Sequence, residues 1–97
     1  MEFAGIEVIQ SQPGEVNLAV SRLKGDHEFA AEFKARFSAI NGIDQVEPDP
    51  VRGEVVVIYD KKTLTSMSSL LALKQTFSHL FPEIDAFRLA TWLSRYI

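Results

Sequence analysis

Three stretches of the chain hold side chains whose types and spacing could do chemistry. Asp26-His27-Glu28 sets an imidazole between two carboxylates, donor types that hold a borderline divalent metal when three or four of them converge. Asp44, Glu47 and Asp49 bring three carboxylates close in sequence, as a calcium loop or a general acid–base pair would require. They lack the spacing of a calcium loop, with its central glycine and terminal glutamate, and Pro48 and Pro50 mark a turn instead. Ser66, Ser68 and Ser69 cluster where a helix is expected to begin, a place where a hydroxyl commonly accepts from free backbone N–H groups. No base stands at motif distance from these serines and no glycine-rich phosphate loop occurs. No catalytic residue and no cofactor site emerge, and the chain reads as a non-enzyme. For His27, Asp26 and Glu28 the alternative to metal binding is a helix start: Asp26 caps, His27 is exposed, and Glu28 sits favourably at the positive helix end. The loop offers at most three donors, and the other histidine, His79, lies far along the chain, so no metal site is assigned.

The elements that must position these residues belong to one domain. Ninety-seven residues can bury a core but not a core plus a second independent unit. The chain is 46% hydrophobic and 24% charged, which is ordinary globular usage and argues against disorder. A net charge of −3 with interspersed signs gives no electropositive surface for a phosphate backbone, so a nucleic-acid partner is not expected. Cysteine is absent, which removes disulfides, thiolate ligands and cysteine nucleophiles together. A cytoplasmic setting is expected from this composition, with no leader and no membrane-spanning run.

Weak alternation over 5–10 indicates an N-terminal strand, and Pro13-Gly14 a turn. Val16, Leu18 and Val20 alternate with Asn17, Ala19 and Ser21, the period of a half-buried strand over 15–23. Asp26 then starts a helix over 27–39 whose Phe29, Phe33, Phe37 and Ile40 form one stripe. Asn41-Gly42 ends it, a short strand follows over 43–47, and Pro48 to Gly53 turns the chain. Residues 54–59 form the strongest strand, with Val55, Val56, Val57 and Ile58 in succession, a run expected to be covered on both faces. Thr65 is the expected cap of a second helix with the stripe Leu70, Leu73, Phe77 and Leu80, broken at Phe81-Pro82. Residues 85–97 read as a C-terminal helix, with a strand as the alternative.

The pattern of elements is α+β: strand, helix, strand, strand, helix, over an antiparallel sheet. Pro13-Gly14 before the strand that ends near Arg22, Ile40-Asn41-Gly42-Ile43, Asp49-Pro50-Val51-Arg52-Gly53 and the strand closing on Tyr59-Asp60 carry a resemblance over 13–80. They resemble the heavy-metal-associated domain family, in its divergent branch without metal-binding cysteines. The resemblance implies a ferredoxin-like βαββα sandwich. In the metal-transporting members, two cysteines between the first strand and first helix hold a soft metal; the equivalent stretch here, Arg22 to Glu28, offers one imidazole and two carboxylates, with Lys24 close by. Glu15 and Asn17 stand where the cysteine-free branch often has arginines. The family's strand after the second helix has no clear counterpart in 81–84, and the N-terminal run is the alternative occupant of that sheet edge.

Two further features bear on partners. Arg52, Gly53, Val57 and Tyr59 match a strand signature of RNA-recognition domains, but Glu54 and Val56 stand where that signature has aromatic rings. Leu89, Trp92, Leu93 and Tyr96 form an apolar cluster of the kind that dominates interfaces. They are the candidate protein interface, toward another protein or a second copy, and docking of this segment on its own sheet is the equal alternative. The reading is an interaction or adaptor domain on a metal-carrier-like scaffold; the alternative is a metal-binding or transport accessory domain with a non-cysteine site.

Overall fold

The computed structural model describes residues 2–3, 5–83, 88, 91, 92 and 95. Five strands, β1 (Glu2–Phe3), β2 (Ile6–Gln12), β3 (Glu15–Val20), β4 (Ile43–Asp49) and β5 (Glu54–Tyr59), form one sheet in the order β1-β2-β3-β5-β4. Every neighbouring pair is antiparallel. The crossover from β3 to β4 passes through α1 (His27–Ser38) and leaves room between them for β5, the split arrangement of a ferredoxin-like sandwich. The N-terminal strand β2 takes the position beside β3 that the usual strand after the second helix would take, as the sequence allowed, and β1 adds a short pairing outside it.

The two principal helices follow from their caps and stripes. Asp26 accepts from the Phe29 amide at 2.9 Å and starts α1, whose Phe29, Phe33 and Phe37 are buried together with Ile40 just beyond its end. The second helix differs from the sequence expectation. Asp60, not Thr65, opens a short α2 (Lys61–Leu64) by accepting from the Lys62 amide and the Thr63 hydroxyl. Thr65 closes that turn by donating its hydroxyl to the Lys61 carbonyl at 2.8 Å, and Ser66 caps α3 (Met67–Leu80). Leu73, Phe77 and Leu80 of α3 are buried while Leu70 is partly exposed. The strand expected to run to Leu23 stops at Val20, because Ser21–Leu23 winds into a 3-10 turn that buries Leu23 completely.

A single apolar core lies between the sheet and these helices, and the strands feed it by alternation. Leu18 and Val20 of β3, and Val55, Val57 and Tyr59 of β5, face the helices. The four-residue apolar run of β5 was expected to be covered on both faces; its burial instead alternates, with Val56 and Ile58 partly exposed on the side away from the core. Trp92, from the segment that was one candidate for that second cover, is on the helix side, 6.2 Å from the Phe77 ring and 8% exposed. Among the described residues of that segment Arg88, Thr91, Trp92 and Arg95 are helical, and its remaining candidates Leu89, Leu93 and Tyr96 lie outside the described residues.

Candidate functional site

The loop equivalent to a metal-carrier's binding loop runs from the 3-10 turn to the start of α1, and its backbone is tied down from several sides. Gly25 donates to the Pro50 carbonyl at 2.7 Å, and the Asp26 amide donates to Leu23 at 3.1 Å. Arg22 projects its guanidinium over the Phe29 ring, 4.4 Å from the centroid, and over Phe81 at 5.4 Å. It also donates to the Leu80 carbonyl at the end of α3, where the helix leaves acceptors unsatisfied and a cation is favoured. One side chain therefore stitches this loop to the C-terminus of α3, and it brings a permanent positive charge to the loop.

The three metal candidates do not converge. The Asp26 carboxylate is engaged as the α1 cap, and His27 and Glu28 are exposed on the first helical turn. A shallow acidic hollow joins Asp26, Glu28 and Glu32 beside Phe29 but leaves out His27, and Glu32 sits 3.4 Å from Arg36. Among the described residues no group of three potential ligands forms. His79 is exposed on the last turn of α3.

The other chemical candidates have structural roles. Ser66 accepts from the Ser69 amide at 3.4 Å, and buried Ser69 donates to the Asn41 carbonyl at 2.7 Å, which fastens α3 to the end of α1. Asp49 accepts from the Val51 and Arg52 amides and shapes the β4–β5 turn, while Glu47 accepts from the Gln45 amide nitrogen. On β5 the signature positions Val57 and Tyr59 point into the core, so Tyr59 offers no ring to a stacked base on the sheet surface. An apolar cavity of about 60 Å³ lies between sheet and helices, lined by residues that include Val16, Phe37, Leu73 and Trp92. Cavities that hold even a benzene are about 150 Å³, so this is a packing void and not a cofactor site.

Sequence reasoning missed Arg22, because its partners Phe81 and Leu80 are nearly sixty positions away and nothing local announces them. It also missed that the charged strand residues in the outward rows are all carboxylates, although period-two alternation made those residues readable. Arg22→Ala is expected to lower stability by about 1–2 kcal/mol through loss of ring stacking and of the Leu80 hydrogen bond. Arg22→Lys should recover less than half of that, since an ammonium keeps the charge but not the planar stack; urea unfolding midpoints measure both.

The sheet order, the crossover and the paired helices define a ferredoxin-like α+β domain, with Arg22 stacked on Phe29 and Phe81 in the loop before α1. The family model for heavy metal associated domain 2 matches residues 2–78, and the chain belongs to that family; with no cysteine, it belongs to it without the thiolate pair. No match was found among curated proteins or among solved structures. No helix among the described residues is long and apolar enough to cross a membrane.

Proposed function

We propose that this chain is a non-enzymatic interaction or adaptor domain of the cytoplasm, built on a metal-associated scaffold and working through its protein surface. The observation that carries this reading is the closed loop. Arg22 stacks on Phe29 and Phe81, and Asp26 is committed to the α1 cap, so the loop's charge and geometry oppose a bound cation where the scaffold would ordinarily hold one. Trp92, the central residue of the sequence's interface candidate, is 8% exposed against Phe77; this favours a role for Trp92 in anchoring its segment and shifts attention to other surfaces for partner contact.

Calorimetric titration with copper(I) and with zinc(II) tests the reading. The expected result is coordination no stronger than scattered surface groups give, unchanged in His27→Ala. A stoichiometric, tight site that disappears in His27→Ala would overturn it in favour of a metal-handling domain using His27, Asp26 and Glu28.

A further inference from the structure

The strand register fixes which side chains share the sheet face turned away from the core. Three rows cross it from β2 to β4: Glu7, Ala19, Glu54 and Asp49; Gln10, Asn17, Val56 and Glu47; Gln12, Glu15, Ile58 and Gln45. Five of these positions are carboxylates and none is basic, although the chain has ten Lys and Arg against thirteen Asp and Glu. A segregation of that kind gives the face a negative potential that the modest net charge conceals.

The face is not merely a solvated surface. At its centre Ala19, Val56 and Ile58 are partly exposed, an apolar strip with acidic groups on either side. Glu54 stands directly across from Asp49 on the neighbouring strand, a like-charge pairing that costs stability in the isolated domain. In the middle row the Asn17 side-chain oxygen is buried among its neighbours and accepts no hydrogen bond, a further local cost. The like-charge cost is relieved by positive groups laid over the sheet.

We propose that this face docks a cationic amphipathic helix of a partner protein. The inference rests on the adaptor reading and names its partner chemistry. A sheet face buries its apolar groups under another layer, and here α1 and α3 already direct their buried stripes to the opposite face. A helix lying on Val56 and Ile58 with Lys and Arg along its flanks would meet Glu7, Glu15, Glu47 and Glu54. A second copy of the chain is the wrong occupant, since face-to-face pairing opposes acidic surfaces.

The test titrates the full chain with a synthetic amphipathic Leu/Lys helical peptide while amide chemical shifts are recorded. Expected are shifts concentrated on Ala19, Glu47, Val56 and Ile58, and affinity that falls with added salt. Glu47→Lys with Glu54→Lys should weaken binding by about tenfold or more, whereas Glu28→Lys with Glu83→Lys, an equal charge change away from the face, should change it by less than about threefold. Circular dichroism and unfolding midpoints confirm that both double variants are folded; were Glu47→Lys with Glu54→Lys unfolded, Val56→Thr tests the apolar strip of the same face and should weaken binding, whereas Glu28→Lys with Glu83→Lys should not. Equal weakening by both double variants would show binding by net charge alone and overturn the proposal. So would peptide shifts centred on the helices, or concentration-dependent shifts of the same face without peptide. The copper(I) and zinc(II) titration fails or succeeds independently, so loss of the docking face and loss of the adaptor reading are separate outcomes.

Discussion

Phe33→Ala is expected to lower the stability of the domain by about 3–5 kcal/mol. The side chain is 1% exposed and lies in the middle of the α1 stripe, its ring centroid 4.4 Å from that of Phe37 and 6.3 Å from that of Phe29. Truncation removes the transfer free energy of a whole ring, and it also opens a void that its neighbours cannot close. Phe33 already borders the apolar cavity of about 60 Å³, so the space left by the ring would join an existing gap and not collapse on it. Residual cavity volume is the component that drives such losses toward the upper end of their range. The loss would consume a large part of the roughly 5–15 kcal/mol that holds a domain of this size together. Urea midpoints at unchanged slope measure it. A midpoint left in place would mean that the α1 stripe does not bear on the core as the burial pattern implies.

Such residues were readable in the sequence because their signals are local. The i, i+4 spacing of Phe29, Phe33 and Phe37, the alternation of Val16, Leu18 and Val20, and the stop at Phe81-Pro82 each need a window of a few residues, and each matches an element in place. What stayed hidden depends on partners far along the chain or on competition between neighbours. Thr65 has the right chemistry for a cap, but Asp60 captures the preceding turn and Ser66 the following one, so Thr65 becomes a closing residue. Val55 to Ile58 form a continuous apolar run, and such a run does not say whether its outward pair is covered; the sheet leaves Val56 and Ile58 partly exposed. For the candidate loop the residue types were visible, whereas the convergence of ligands was not. Asp26 could be read as a cap or a ligand, and the cap is what its hydrogen bond to Phe29 shows. Arg22 stood at the start of the candidate loop with no role assigned to it, yet it connects the loop to both Phe81 and Leu80.

Gly42→Ala is expected to cost about 2–5 kcal/mol, the second large effect, and it reaches the proposed docking face through the backbone. Gly42 has φ of +105°, and a methyl group there would stand 2.7 Å from the Leu64 nitrogen and 2.8 Å from its Cα. Both atoms are backbone, so no side-chain rotation relieves the clash. Nor can the two segments separate freely. The Asp60 amide donates to the Gly42 carbonyl at 2.7 Å, Ser69 holds the Asn41 carbonyl from α3, and Leu64 is 2% exposed in the core. Gly25 provides a partial control: its φ of +76° is nearer the left-handed region that L residues visit than the +105° of Gly42, and a methyl group there meets nothing within 4 Å. Gly25→Ala should therefore cost about 1 kcal/mol from conformational strain alone. The difference between the two variants bounds from above what the contact with Leu64 costs, and equal losses in urea unfolding would show that this contact carries nothing. Because β4 begins at Ile43, directly after Gly42, any accommodation of the methyl group must displace the strand that presents Gln45, Glu47 and Asp49. A Gly42→Ala protein that remains folded should show altered amide shifts along the outward face of β4 and bind the cationic peptide more weakly, whereas Gly25→Ala should leave both unchanged.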